Sequence, residues 1–306
     1  PSAWSWWVPS VVAAVRPREA GRAQAEELYA RALRFEAEKK TAADLEHARS
    51  LYQAAAEAGL APAMFRLGRM IERAASSKRK AGGGKAAYKT QLAAAAAWYA
   101  KAAEQAHPGA QHALGTLHEF GEGVGRDLAE ALRLYKLAAE AGDAGGMTSL
   151  AFLYASGKGV HRNPEIARQW YQRAAEAGSA RAMYNLALMQ LSREGGPVDV
   201  PQATRWLSEA AKSGHAGAMR QLAMFYEEGR GLSRSTDNAA DFLLKAYRAG
   251  DADARSDLFD RNRRWSRSTR KAIQRQLKAD GLYTGVVHGV FNASTRRALT
   301  RYRATR

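Results

Sequence analysis

One short run returns along this 306-residue chain at a fixed spacing, and that recurrence limits the fold more than any other feature. Ala138-Ala139-Glu140-Ala141-Gly142 comes back as Ala174-Ala175-Glu176-Ala177-Gly178, then as Ala210-Ala211-Lys212-Ser213-Gly214 and Ala246-Tyr247-Arg248-Ala249-Gly250, each 36 residues after the last. One step earlier lies Ala102-Ala103-Glu104-Gln105-Ala106, and 47 residues before that Ala55-Ala56-Glu57-Ala58-Gly59. Other series keep the same step: Leu67 (across the longer interval), Leu114, Leu150, Leu186, Leu222 and Leu258; Trp98, Leu134, Trp170, Trp206 and Phe242; and the small residues Gly115, Ala151, Ala187 and Ala223. A period of this length means a stack of supersecondary units, each unable to bury its apolar face alone. The 11 extra residues of the 47-residue interval fit the basic, Gly-rich stretch near 76–86, read as a surface loop inserted in one repeat.

The unit reads as two helices. Gly142 or Gly178 closes one helix in a left-handed turn, and Asp143, Ser179 or Asp251 caps the next by accepting backbone N–H bonds. His107 and His215 hold the same register and read as caps or surface residues rather than ligands. Helix A carries Met183, Leu186 and Met189 on one face, and ends in a glycine-rich turn such as Gly157-Lys158-Gly159-Val160. Asn163-Pro164-Glu165 opens helix B with a cap, a proline at the first position and an acidic first turn. Ile166, Trp170 and Ala174 then form its inward face, and the tryptophans of the array read as core. Frequent Ala and only 8 Pro agree with helices throughout. The expectation is an all-α fold: an α-solenoid of about six two-helix repeats over residues 22–262, a Trp- and Pro-containing leader over 1–21, and a small helical module over 263–306 docked on the end of the array near Leu258 and Phe259.

The pattern Ala182-Met183-x-x-Leu186-Ala187, Gly157-x-Gly159-Val160 and Ala167-x-x-Trp170-Tyr171-x-x-Ala174-Ala175-x-x-Gly178 resembles the Sel-one-like repeat, a relative of the tetratricopeptide repeat. It weakens at Gly195-Gly196-Pro197, where the loop glycines read as shifted in register. The resemblance implies a non-enzymatic interaction adaptor, often of the bacterial envelope, with a protein partner on the groove lined by helix A. One variable helix-A register holds His112, Thr148, Tyr184 and Arg220, 36 residues apart, and these are candidates for that partner surface.

Past Trp265 the period stops. Gln274-x-x-Leu277, Gly281-x-Tyr283-x-Gly285, Gly289-x-Phe291 and Thr295-x-x-Ala298 follow in a helix–loop–helix pattern that resembles the peptidoglycan-binding module of bacterial wall hydrolases. Two positions depart from that module, with His288 where an Asp is usual and Asn292 where a Gly is usual. Asn tolerates a left-handed backbone. The resemblance implies sugar faces stacked on Tyr283 or Phe291, with His288 beside them, and Arg296, Arg297 and Arg301 paired with stem-peptide carboxylates. Alternatively the module only caps the array, its aromatics being core and its arginines a solvated face.

Charge bears on the partner. The net charge is +17, and residues 255–306 hold 14 Lys+Arg against 3 Asp+Glu, so this segment carries +11. An anionic partner follows: peptidoglycan, another anionic polymer, a membrane surface or nucleic acid. Nucleic acid is disfavoured because no recognition motif interleaves aromatics with these bases. A further alternative is a regulator of a wall hydrolase that acts in trans. The chain contains no cysteine, so disulfides and thiolate chemistry are excluded. Its seven histidines form no metal motif, Gly82-Gly83-Gly84-Lys85 lacks phosphate-loop spacing, and no catalytic residue, cofactor or metal site is expected. The recurring Glu57, Glu104, Glu140 and Glu176 read as exposed. The chain begins at Pro1 rather than Met, which leaves room for a signal peptide or membrane anchor upstream, and Trp4, Trp6 and Trp7 suit either an interfacial segment or a simple leader. A periplasmic or cell-envelope protein of a bacterium is the expectation.

Overall fold

The computed structural model describes residues 17–38, 41–260 and 264–305. Among them every regular element is a helix. Five antiparallel pairs run α1 (Pro17–Glu38) with α2 (Ala42–Glu57), α3 (Ala61–Lys80) with α4 (Lys85–Glu104), α7 (Ala144–Ser156) with α8 (Pro164–Glu176), α9 (Ala180–Leu191) with α10 (Val200–Lys212), and α11 (Ala216–Glu228) with α12 (Thr236–Arg248), while α5 (Pro108–Phe120) and α6 (Leu128–Glu140) follow α4 in the same order along the chain. A half-repeat, α13 (Ala252–Phe259), and then α14 (Arg267–Ala279) and α15 (Ala293–Ala304) follow among the described residues. The packing separates two units, one up to Leu134 and one from Tyr135 onward. The leader tryptophans Trp4, Trp6 and Trp7, and the boundary near 262, lie outside the described residues.

Both ends of the repeat form for local reasons. Between repeats, Gly142, Gly178, Gly214 and Gly250 adopt φ of 85–92°, and the following N–H returns to the helix, as Asp143 N does to Ala138 O at 2.9 Å. The next helix is capped at once by His107, Asp143, Ser179, His215 or Asp251, each accepting from the backbone N–H three residues on. B helices have their own caps: Asn163, Asp199 and Ser235, 36 residues apart, do the same, and Asp127 accepts from Ala129 and Glu130 N–H.

The leucine series Leu67, Leu114, Leu150, Leu186, Leu222 and Leu258 is buried throughout, and Met183, Leu186 and Met189 form one inward face. On helix B, Leu134 and Ala174 are buried as expected, but the face is centred one residue beyond the tryptophans. The buried series is Tyr52, Tyr99, Tyr135, Tyr171, Leu207 and Leu243, flanked by alanines such as Ala167 and Ala174, whereas Trp98, Trp170 and Trp206 are only half-buried. An indole is too large for a layer whose helices approach across alanine and glycine. A Cβ on Gly68 would lie 2.5 Å from the Tyr99 ring, so the small series makes room for this tyrosine. The rings left at the edge take a cation three residues on: Lys101 Nζ lies 4.6 Å from the Trp98 centroid and the Arg173 guanidinium 4.3 Å from that of Trp170.

Two further expectations are corrected. Gly195 keeps the register of Gly123 and Gly231 after all. Each meets the preceding B helix so closely that a Cβ would fall 2.4–2.7 Å from it, against Pro164, Leu92–Ala93 and Val200 respectively. The departure at this repeat is instead Arg193, where α9 has already ended at Leu191. The inserted residues near 76–86 form no loop. They lengthen α3 and α4 to 20 residues each, against 13 in α7 and α8, and only Ala81–Gly84 turn between them. Straight-chain Lys and Arg, together with alanine, continue a helix at little cost, and three glycines confine the reversal to four residues.

Candidate functional site

The variable helix-A register has a structural task. Tyr184 stacks on His215, the cap of the next A helix, with ring centroids 4.5 Å apart. Thr148 Oγ1 meets Ser179 Oγ, again the next cap, at 2.9 Å. Phe65, in the same register one repeat before His112, packs on the cap His107 at 4.7 Å. Arg220 reaches past the cap Asp251 to Asp257 at 2.8 Å and Asp253 at 3.8 Å. The register varies because its partner at or just beyond the cap varies with it: ring on ring and hydroxyl on hydroxyl at the cap, guanidinium on carboxylates beyond it. Thr148 is buried, so it offers a partner no surface. His112 is half-buried at the same register. At Thr148, Tyr184 and Arg220 the expected groove contacts are therefore couplings between successive repeats. Burial lowers the His215 pKa, opposed by Asp251.

The C-terminal module is built around Gln274, which is fully buried. Its Oε1 accepts from His288 N–H (3.1 Å) and Gly289 N–H (2.8 Å), while its Nε2 donates to Val290 O and Thr295 Oγ1, both at 3.0 Å. Tyr283 lies in the core with its hydroxyl on Val286 O, and Phe291 is buried too. Neither ring presents a face on which a sugar could stack, which corrects that part of the expectation. His288 accepts Val290 N–H through Nδ1, holding the loop at the position where the wall-binding module usually has Asp. Asn292 is not left-handed but extended, and caps α15 through Thr295 N–H. Arg301 is tied to Leu282 O at 2.7 Å, while Arg296 and Arg297 stand exposed. Val286 and Val290 are the exposed apolar tips of the loop.

The module docks on α12 rather than on α13. Leu243, Leu244 and Tyr247 share a core with Ile273, Leu277, Leu299 and Tyr302, and Leu258 belongs to that same core. Glu227 of α11 fastens the entry, accepting from Ser266 N–H at 2.7 Å and from the Thr269 hydroxyl. Arg275 pairs with Asp237 at 2.7 Å, and the Arg248 guanidinium lies 3.8 Å from the Tyr302 ring centroid.

A third feature escaped the sequence. Where the lengthened α3–α4 pair runs past α2, a cleft of about 610 Å³ opens, floored by Leu45, Met70, Ile71, Ala74 and Ala94. Its rim carries Arg49, Arg73 and Lys78 beside Glu36 and Glu46. Glu36 is already engaged by the Tyr52 hydroxyl (2.7 Å), by Arg66 and by Arg73 (3.7 Å), and Glu46 by Arg49 (3.6 Å). The signal for this cleft was the length of the insertion; its helical form was needed to see it. Among the described residues, no group of three or more His, Asp or Glu is placed to hold a metal ion, and no helix is long and apolar enough to cross a membrane.

Tandem helix pairs that share one period, and bury their apolar faces only against neighbours, define an α-solenoid repeat protein. The Sel1 repeat model matches residues 23–60, 61–79, 83–107, 108–143, 144–179, 180–215 and 216–251, so the chain belongs to the Sel1 repeat family. The second and third segments are the two halves of the lengthened repeat, which makes six repeats in all. The chain is similar to the Sel1 repeat protein of Oxalobacter formigenes (26% identity, TM-score 0.61), covering 83% of this chain and 95% of that one. It is also similar to a protective antigen present in uropathogenic Escherichia coli strains that displays an SLR fold (25% identity, TM-score 0.62); there the match covers 94% of this chain and 62% of the other. No curated protein sequence matches significantly. Proteins of this repeat family generally act as protein–protein interaction scaffolds and are typically non-catalytic.

Proposed function

We propose that this chain is a non-enzymatic scaffold of the bacterial cell envelope, on the periplasmic side, whose repeats hold a protein partner while the C-terminal module closes the array and turns a basic face to peptidoglycan. The carrying observation is the division within that module. Its aromatics are buried in the core it shares with the last repeat and Gln274 is spent on the module's own loop, while Arg296 and Arg297 are exposed. A cap needs the first set and not the second. Exposed guanidiniums on a segment of charge +11 suit the carboxylates of wall stem peptides, through charge-assisted contacts rather than ring stacking. The resemblance of 274–298 to the wall-binding module supports the choice of polymer.

The test uses the full chain, because removing the module would uncover Leu243, Leu244 and Tyr247. Wild type and the Arg296→Glu/Arg297→Glu variant are pelleted with purified sacculi across a salt series. Wild type is expected to pellet at low salt and to release as salt rises, with the variant releasing earlier. Equal pelleting of both would remove the wall-binding role. Duplex DNA binding as tight as wall binding would transfer the basic face to nucleic acid.

A further inference from the structure

We infer that the cleft between α2 and the lengthened α3–α4 pair is a docking site for an acidic amphipathic helix of a partner protein. The inference rests on the proposed function only in taking the repeats to bind protein, and it concerns a surface that no family-wide feature of the repeat supplies.

Three observations lead to it. The first is shape. A regular repeat has 13-residue helices, whereas α3 and α4 have 20, and the seven additional residues of each add about 10 Å, or two turns. Those turns line an open trough whose floor is apolar, and Leu45 within it is 38% exposed. An apolar trough between helices is the usual seat of a helix that presents residues i, i+3, i+4 and i+7.

The second is charge. From Arg73 to Lys101 the chain has seven basic residues and no acidic one. Lys78, Arg79, Lys80, Lys85 and Lys89 are all exposed along the end of the hairpin beside the trough. The carboxylates on the rim are held by arginines of the protein itself, so the free charge facing a visitor is positive.

The third is placement. Lys78, Arg79 and Lys80 suit the C-terminus of α3, where a cation complements the helix dipole. Lys85 and Lys89 open α4, whose N-terminus is already partly positive and has neither a side-chain cap nor an acidic residue in its first turn. Folding gains nothing from lysines there. A partner that brings carboxylates to the rim while its apolar stripe covers Met70, Ile71 and Ala74 would satisfy both the charge and the floor.

The probe is a dye-labelled helical peptide of about 18 residues, five turns, with Leu at the four stripe positions and Glu elsewhere. Two controls have Lys in place of Glu, or the same residues with the stripe scrambled. Fluorescence anisotropy is read with the full wild-type chain, with Lys78→Glu/Lys85→Glu, and with Ala74→Gln, a change that puts a polar side chain on the exposed floor. Thermal melts check that each variant is folded. The acidic amphipathic peptide is expected to bind about tenfold or more tightly than either control, and each variant to lose about tenfold. Equal binding of the scrambled peptide would show a simple polyanion sink and overturn the inference. So would binding that neither variant changes, or the absence of saturable binding. Sacculus pelleting by the same variants is expected to be unaltered, which separates failure here from failure of the wall-binding proposal.

Discussion

Ala106 occupies the left-handed position that glycine holds at 59, 142, 178, 214 and 250, with φ of 58°. An L-residue there carries about 1–2 kcal/mol of strain. Ala106→Gly is therefore expected to raise stability by about 0.5–1 kcal/mol, the strain relieved less the entropy that glycine adds to the unfolded chain, measured by urea denaturation. Gln274 is the opposite case, a residue with every polar atom used. Gln274→Leu strands the N–H groups of His288 and Gly289 and is expected to cost about 2–4 kcal/mol. His215 gives a pH dependence. Burial lowers its pKa in the folded state, so above the unfolded value of about 6.5 both states are neutral and stability is full. As pH falls below 6.5 the unfolded state takes up the proton first, and stability drops until the pH passes the folded pKa. Protonation also removes the Nδ1 acceptor from Ala218 N–H. His215→Asn keeps a cap acceptor at every pH, and its stability curve is expected to be flatter below pH 6.5.

At the scale of elements, successive A helices are coupled through matched pairs. Replacing Tyr184 by Thr or His215 by Ser breaks the stacked pair, while both changes together recreate the Thr148–Ser179 hydroxyl pair. A double-mutant cycle is expected to show coupling of about 0.5–1.5 kcal/mol, with the double variant less destabilised than the two single losses added. This coupling also explains what was legible at that register. A position that varies while its neighbours repeat looks free when the sequence is read one position at a time. For Phe65, Thr148 and Tyr184 the partner lies 31 or 42 residues away, at a site already assigned to capping, and only contact joins the two. The centre of the buried face of helix B was misplaced by one residue at the tryptophans for a similar reason. Trp170 and Tyr171 both keep the period, and hydrophobicity favours the indole, but the alanine-lined spacing of the layer admits the phenol. Burial then pushes the Tyr171 pKa up to about 12.

Across the whole molecule the C-terminal module acts on the stability of the last repeat. Glu227→Gln removes a charge that takes two hydrogen bonds from the start of α14, and is expected to cost about 1.5–3 kcal/mol in the docking of that helix. Hydrogen exchange should show it as faster labelling of α14 and α15 with little change in the repeats up to Leu134. The same docking decides how the module can meet a ligand. Tyr283 and Phe291 are withdrawn into the buried core, and the module's outward chemistry is left to arginine.

The one-dimensional facts were fixed by order along the chain: the repeat length, the helix ends, the caps and the leucine seam. A helix terminus is satisfied by residues three to six positions away, and stacked units repeat every contact at one interval. Three-dimensional competition decided the rest. Which of two adjacent aromatics fits the layer, whether eleven added residues loop out or extend two helices into a cleft, and which side of the terminal module is covered all depend on volumes and charges brought together from distant repeats, and no local propensity encodes them.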